Sequence, residues 1–337
     1  MNTSATPPSG SRTPVSGAVA IGVAVLVIGL LIYTLATGPG AGDAGIPQTD
    51  TPAAPSSSEE APWRRYFNPK QVDFAPLTVP TEAIAKARAT VPTDDAPPPS
   101  PQTLDTVLAH YFDLNRAEAT GGDPTQRAIV AKRFHNAMRN LYADHGRNGI
   151  NAIYDAIWPK FSQSLDAFAH PTTPLAKRLV NPPDDATRDA IRWAGGFVQL
   201  AIPTGLMSPT GTLAPEAKAL LPVLLRYRLA NALQGSIDPR ELMTPPELRT
   251  IALWRLQTAP KLDPIQRQRA IVRVREYIPD YPAPIAVGVL YTKAERLTDA
   301  IGTFQSARLD HPELAPLLDV YIAQLETQLT THDPSTP

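Results

Sequence analysis

The sequence predicts an all-α protein with a single N-terminal transmembrane helix, a disordered Pro/Ala-rich tether and an α-helical domain. Three observations support this fold class. Residues 18–35 are uncharged and apolar over a length that spans a bilayer. Residues 38–62 consist almost entirely of Gly, Pro, Ala, Ser, Thr and a few acids. From Pro101 onward, apolar residues recur at the three-and-four spacing of helices, without the sustained alternation of strands.

The predicted division of the chain follows these changes in composition. It comprises a short cytoplasmic tail at 1–14, a transmembrane helix at 15–37, a Pro-rich tether and strap at 38–100, a helical subdomain at 101–204, a second helical subdomain at 212–330 and a disordered tail at 331–337. The boundary at 203–212 rests on a cluster of glycines and prolines, which interrupt helices.

The charges that flank the apolar segment predict its orientation. Arg12 is the one cationic side chain before it, whereas Asp43 and Asp50 are the first charges after it. The positive-inside rule then places the N-terminus in the cytoplasm. We expect a single-pass protein of the inner membrane with its C-terminal domain in the periplasm. A cleaved signal peptide is the alternative, although the apolar run is longer than the roughly 7–15 residues of a signal core.

Small residues within the span form a stripe at Ala18, Gly22 and Gly29. Such a stripe lets two helices approach closely and is one route to a homodimer. The other interpretation is that Gly and Ala are common in spanning helices.

The tether at 38–62 has too few apolar side chains to offset the entropy of ordering. In an extended polyproline conformation it reaches roughly 80 Å. It therefore sets the distance of the domain from the membrane without fixing its orientation.

An aromatic and basic cluster follows the tether, at Trp63, Arg64, Arg65 and Tyr66. One interpretation makes these residues contacts for a partner or for lipid headgroups. The other is that the aromatic rings pack on the helical domain, because large apolar side chains are seldom left in water.

Helix-start and helix-stop signals predict roughly ten helices and no sheet. Asp123 and Pro124 form a cap and first turn, and Gly146 ends that helix. The same punctuation predicts helices over 80–90, from Asp184 to Ile202, from Pro215 to near Gly235, over 246–258 and from Pro264 to Tyr277. The pair Gly195-Gly196 lies inside one of them and is either a hinge or a site where a neighbouring helix packs closely.

The C-terminal part contains the most specific motif, PIAVGVLYTKAERLTDAIGTFQSARLDHP, starting at Pro284. Small residues there allow two antiparallel helices to approach, aromatic residues fill the space between them, and a proline stops the second helix. These signature residues are Gly288, Tyr291, Ala300, Phe304, Ala307 and Pro312. The segment resembles a tetratricopeptide repeat (TPR). It departs from the family at Pro284, where Trp is usual, and at Val287, where Leu is usual.

This resemblance covers about 281–314, and the neighbouring segments match poorly. Residues 246–277 form a helical pair that is a degenerate repeat at most, and 313–329 is expected to cap the array. The resemblance implies a surface that binds partner proteins. Four arginines on the helix after Asp263 add local positive charge, which suits an acidic partner or is simply a solvated face: Arg267, Arg269, Arg273 and Arg275.

The sequence offers no recognisable catalytic motif, cysteine or metal-binding pattern, and we predict no cofactor and no enzyme. The nearest approaches to an acid–base pair are His110 with Asp113 and Asp144 with His145. Each is more simply a polar helical face or a helix end. A peptidoglycan-cleaving glycosidase is the enzymatic alternative and would need a buried carboxylic acid. Glu216 and Glu247 follow prolines in first helical turns, where the helix dipole favours the ionised form.

The formal net charge of −1 gives no reason to expect nucleic-acid binding. The sequence therefore predicts a membrane-anchored adaptor or scaffold that binds partner proteins in an envelope assembly through a TPR-like surface. A membrane-tethered periplasmic chaperone is the alternative in the binding class. The two differ in their binding groove, because an adaptor needs a polar, specific groove and a chaperone a broad apolar one.

Overall fold

The computed structural model describes residues 66–68, 73–74, 77–258 and 264–331. These residues form an all-α body, as the sequence predicts, with one two-residue strand pairing. The predicted cytoplasmic tail, transmembrane helix and tether, together with Trp63, Arg64 and Arg65, lie outside the described residues. Within the described ranges, no helix combines the length and the apolar character needed to cross a membrane.

The helices follow the chain in an order that we number from the N-terminus. They are α1 (Thr81–Ala89), α2 (Pro101–Thr120), α3 (Pro124–Ser164), α4 (Leu175–Val180), α5 (Asp185–Thr204), α6 (Ala217–Asn231), α7 (Pro245–Gln257), α8 (Pro264–Tyr277), α9 (Ala283–Lys293), α10 (Leu297–Asp310) and α11 (Ala315–Thr331). Strands β1 (Phe67–Asn68) and β2 (Asp73–Phe74) precede them, and short 3-10 turns occupy Leu165–Phe168, Pro239–Glu241 and Pro312–Leu314.

Side-chain caps are present at two of the predicted helix starts, whereas the helix predicted from Pro215 begins at Ala217 without a side-chain cap. The Asp123 carboxylate accepts hydrogen bonds from the backbone N–H groups of Thr125 and Gln126. Asp184 accepts from the N–H of Thr187 in the same way. These side chains satisfy N–H groups that have no partner within the helix.

Gly146 interrupts α3, as predicted, but the chain re-enters the helix at once and continues to Ser164. Gly146 has φ 55° and ψ −142°, outside the helical region. The restart is capped from a distance, because the backbone N–H of Arg147 donates to the Asp94 carboxylate and Asn148 donates to the carbonyls of Asp94 and Ala96. A residue before α2 thus caps the second half of α3.

The larger hydrophobic cluster is built from α2, α3, α5 and α6. Its fully buried side chains include Tyr111, Phe134, Ile153, Ile157 and Phe168. Helices α5 and α6 lie on either side of the predicted boundary at 203–212, yet both contribute to this cluster.

A second hydrophobic cluster is built from α8 to α11, and α7 is shared by the two clusters. Leu248, Ile251 and Trp254 of α7 face the larger cluster, whereas Ala252 and Leu256 face the second one. The two clusters therefore meet at α7, which contributes side chains to both. The division into subdomains at 203–212 stays a prediction.

Candidate protein-binding surfaces

A solvent-accessible groove lies between α2 and the first half of α3. It has a volume of about 560 Å³ and is lined by Gln102, Thr103, Thr106, Val107, His110, Arg133, Asn136, Ala137, Asn140, Leu141 and Asp144. The groove lies in the 101–204 part of the chain, for which the sequence suggests no specific role.

The polar side chains of the groove form two rows with a spacing of four residues. The rows are Gln102, Thr106 and His110 on α2, and Asn136, Asn140 and Asp144 on α3. Residues four positions apart lie on one face of a helix, so each row runs along its helix. Val107, Ala137 and Leu141 line the space between the rows. The groove therefore combines a narrow apolar strip with many hydrogen-bonding groups.

The two ends of the groove differ in charge. Helices α2 and α3 are joined by residues 121–123 and run antiparallel, as a connection of this length requires. His110 therefore lies at the same end as Arg133, and Gln102 lies at the same end as Asp144. One end presents a guanidinium and an imidazole, and the other presents a carboxylate.

Packing behind the groove holds the two helices in place. The rings of Tyr111 and Phe134 lie with their centroids 5.8 Å apart, and both side chains are buried. Gly121 ends α2 in the left-handed conformation, with φ 63°, which glycine adopts without strain. The short connection is thereby fixed at both ends, by Gly121 and by the Asp123 cap.

The candidate acid–base residues do not pair with one another in the part of the chain that the structure describes. Asp113 is exposed on α2, and the Nδ1 atom of His145 lies 2.8 Å from the carbonyl oxygen of Pro97. Among the described residues, no hydrogen bond joins His110 to Asp113 or Asp144 to His145. His110 and Asp144 instead line the same groove. These two residues lie toward opposite ends of the groove, so each is part of a polar helical face rather than of an acid–base pair.

A buried polar bridge connects α2 to α5 on the side away from the groove. The side-chain amide of Asn115 donates to the carbonyl of Arg192 at 3.0 Å and accepts from the backbone N–H of Gly196 at 3.2 Å. In a helix, these two backbone groups are normally partners of each other. The Asn115 amide therefore contacts a C=O and an N–H group one helical turn apart, which fixes the register of α2 on α5.

The glycine pair in α5 is a close-packing site. A methyl group at Gly195 would lie 2.8 Å from Cβ of Ala119 and from the backbone oxygen of Asn115. A methyl group at Gly196 would overlap the side chains of Glu118 and Arg228. Helix α2 thus lies too close for a side chain at Gly195, and the side chains of Glu118 and Arg228 occupy the space beside Gly196.

The charged pair beside Gly196 links α2 to α6. Arg228 donates from a terminal nitrogen to the Glu118 carboxylate at 2.6 Å. Burial alone lowers the pKa of Arg228, but the charges of Glu118 and Tyr111 outweigh it, and the pKa is raised overall. Burial also raises the pKa of the Tyr111 phenol, whose O–H donates to the carbonyl of Trp193. The interaction with Glu118 therefore keeps Arg228 charged inside the domain.

Glu247, at the start of α7, is the most deeply buried carboxylate in the described residues. One oxygen accepts from the backbone N–H and the hydroxyl of Thr244, at 2.8 and 2.9 Å. The other lies 3.0 Å from Nε of Arg88 and 3.5 Å from Nε of Arg226. Burial lowers the pKa of Arg88, and the charge of Glu247 opposes that effect. This cluster joins α1, α6 and α7 and is structural.

The four arginines predicted as partner contacts lie on α8, and three of them have neighbours within the domain. The guanidinium of Arg267 lies 5.1 Å from the ring centroid of Tyr291. Arg273 pairs with Glu276 at 3.0 Å, and Arg275 pairs with Asp310 of α10 at 2.5 Å. Arg269 is exposed. Much of the positive charge on α8 is therefore balanced locally.

Tyr66 packs on the helical body, as one of the two interpretations of the aromatic cluster expects. Its ring centroid lies 5.0 Å from that of Tyr281, and Tyr66 is half-buried. Burial, with a contribution from Tyr66, raises the pKa of Tyr281 well above its ordinary value. Strand β2 lies against α9. Residues 66–74, where described, thus form a strap on the second cluster.

The residues of the repeat signature lie in the packed hairpin of α9 and α10. Tyr291, Ala300, Phe304 and Ala307 are almost completely buried. A methyl group at Gly288 would lie 2.7 Å from Cδ1 of Phe304 and closer still to Cε1, which explains why the position is glycine. Helix α10 ends at Asp310, and Pro312 begins a 3-10 turn.

The described residues contain no group of three or more His, Cys, Asp or Glu side chains placed to hold a metal ion. Comparison with protein-family models, curated proteins and solved structures finds no match to this chain. The surfaces described above are therefore the features that indicate a function.

Proposed function

We propose that this protein is a membrane-anchored helical adaptor that binds partner proteins in an envelope assembly. The observation that carries the proposal is the groove between α2 and α3, which is lined by amides, hydroxyls and charges of both signs. A groove of this kind selects its partner by hydrogen bonds and charge complementarity. That is the chemistry expected of an adaptor.

The tethered chaperone is the alternative, and its groove would be broad and apolar. The large apolar side chains exposed in the described residues are distributed over five helices: Ile129, Val180, Ile265, Val272, Leu309, Val320 and Leu329. None of them lines the groove between α2 and α3. The composition of this groove therefore favours the adaptor.

The proposal keeps the TPR-like hairpin as a second binding surface. The close approach of Gly288 to Phe304 is the packing that the resemblance implies. Most of α9 is buried, and strand β2 lies against it. Accessible residues of the hairpin and of the helix before it include Leu309 on α10 and Ile265, Arg269 and Val272 on α8.

An enzymatic role as a glycosidase has less support. Such enzymes use a buried carboxyl group in an apolar setting as the general acid. The two buried carboxylates in the described ranges, Glu118 and Glu247, are both paired with arginines. The burial of each carboxylate is therefore explained by an ion pair that stabilises the fold.

Site-specific photocrosslinking in cells tests the adaptor against the chaperone. A photoreactive residue at Asn140 should yield one or a few discrete crosslinked products, and Ala137→Trp, which fills the groove, should abolish them. The same residue at exposed Asp105, outside the groove, is the control. A continuous smear of products from Asn140, together with suppressed aggregation of an unfolded test protein by the purified chain, would favour the chaperone.

The membrane anchor and its orientation are tested separately. A reporter that is active only outside the cytoplasm, fused after Pro337, should be active because Arg12 precedes the apolar segment and Asp43 follows it. The mature protein should retain its N-terminus and sediment with membranes. An inactive reporter would reverse the orientation, and a mature N-terminus near Thr37 would show cleavage instead.

A further inference from the structure

We propose that the groove between α2 and α3 binds a short extended polypeptide segment, with an acidic side chain at one end and a basic side chain about four residues away. This inference rests on the proposed adaptor function and specifies the partner chemistry of the same groove. The supporting observation is the presence of two polar rows in the groove. They are Gln102, Thr106 and His110 on α2, and Asn136, Asn140 and Asp144 on α3.

The spacing of the rows suits an extended peptide. Four residues of an α-helix rise about 6 Å along its axis. Two residues of an extended strand advance about 6.6 to 6.8 Å. A strand lying along the groove therefore presents an equivalent peptide group to each successive member of a row. Three members per row correspond to a segment of about four to five residues.

The chemistry of the rows suits peptide groups. Asn140 offers two N–H donors and a carbonyl acceptor, which match the C=O and N–H of a peptide unit. Asn136 offers the same N–H donors, and its side-chain oxygen also accepts from Arg139 at 3.4 Å. Thr106 adds a hydroxyl oxygen that can accept, because its proton is donated to the backbone carbonyl of Gln102 at 3.0 Å. Because Val107 and Leu141 lie between the rows, the groove also has room for small or apolar side chains of the segment.

The charges at the two ends of the groove determine which charged side chain of the peptide binds at each end. Arg133 and His110 favour a carboxylate, and Asp144 favours an ammonium or guanidinium. From Gln102 to His110 the groove extends about 12 Å, at 1.5 Å per helical residue. An extended peptide places residues i and i+4 about 13 Å apart, so one acid and one base can reach both ends.

Charge-swap binding measurements on the full-length protein test this inference. The probes are fluorescein-labelled pentapeptides with a Ser-Thr-Ser centre and ends Glu and Lys, Glu and Glu, or Lys and Lys. Fluorescence anisotropy should show the mixed peptide binding about tenfold more tightly than either like-charged peptide. In the Asp144→Lys variant both ends of the groove become basic, and the binding preference should switch to the peptide with Glu at both ends.

Two further variants make the test decisive. Arg133→Glu should switch the preference to the Lys and Lys peptide, which covers the case that Asp144→Lys does not fold. Asp105→Lys makes the same charge change on α2 at a residue that does not line the groove, and it should leave the preference unchanged.

Equal binding of the three peptides, or a preference that ignores both swaps, would overturn the inference. Discrete crosslinks from Asn140 in cells would then still support the adaptor, with a folded surface of the partner as its ligand. Loss of the discrete crosslinks would instead count against the adaptor itself.

Discussion

Replacing Glu247 by alanine should lower the free energy of unfolding by about 3 to 5 kcal/mol. The Glu247 side chain has no solvent exposure, and it pairs with Arg88 and Arg226, which are 19% and 21% exposed. Removing the carboxylate leaves two largely buried guanidinium groups without their partner. It also removes the reciprocal cap with Thr244 at the start of α7. Denaturant titration followed by circular dichroism measures the loss.

One further variant separates the contribution of the Glu247 charge from that of the helix cap, and a second variant is a control. Glu247→Gln preserves the hydrogen-bonding shape of the cap but not the charge, and should cost less than the alanine variant. Glu216→Ala alters another glutamate that follows a proline at the start of a helix. Because Glu216 is exposed and makes no side-chain cap, this variant should change stability by less than about 0.5 kcal/mol. Similar losses for Glu216→Ala and Glu247→Ala would contradict the buried ion cluster.

Replacing Phe304 by alanine should cost about 3 to 5 kcal/mol, because it leaves a cavity at the centre of the hairpin. The ring is 1% exposed and lies against Gly288 of α9 and Tyr321 of α11. The loss should therefore be seen in thermal unfolding as a clear fall in Tm.

Combining this change with one at Gly288 tests the contact itself. Gly288→Ala alone should cost about 1 to 3 kcal/mol through overpacking against the ring. In the background of Phe304→Ala the added methyl group has room, so the second substitution should cost far less and the two effects should not add. Gly302→Ala is the control, since its added methyl group meets nothing within 4 Å and should stabilise α10 by about 0.5 to 1 kcal/mol. Additive losses would show that α9 and α10 do not pack through this pair.

The helices were predictable from sequence because their ends depend on neighbouring residues. Asp123 and Asp184 cap the helices that they precede, and Gly146 breaks α3 where expected. The continuation of α3 beyond Gly146 was not predictable in this way. Its restart depends on Asp94, which is 53 positions away from Arg147. The β1–β2 pairing was missed for a related reason, since two-residue strands show no alternation.

The groove could not be predicted from the sequence because it depends on the packing of α2 against α3. Asn136 and Asn140 on an exposed helical face look like ordinary solvated residues. Only the antiparallel packing of α2 on α3 sets them opposite Thr106 and His110. A four-residue repeat of amides and hydroxyls on two consecutive helices was the available signal. The arginines of α8 were visible in sequence, but their partners Asp310 and Tyr291 were not.

The ion pair between Arg88 and Glu247 also constrains the timing of folding during synthesis. The two residues are 159 positions apart in the chain. At about 5 to 20 residues per second, a ribosome needs roughly 8 to 30 s to cover that interval. Helix α1 has no acidic partner for its arginine until α7 emerges. The strap can pack in its final position only later still, after α9 has been synthesised, because β2 lies against α9 and Tyr66 packs on Tyr281. The earliest part of the folded body to be translated is thus among the last to reach its final position.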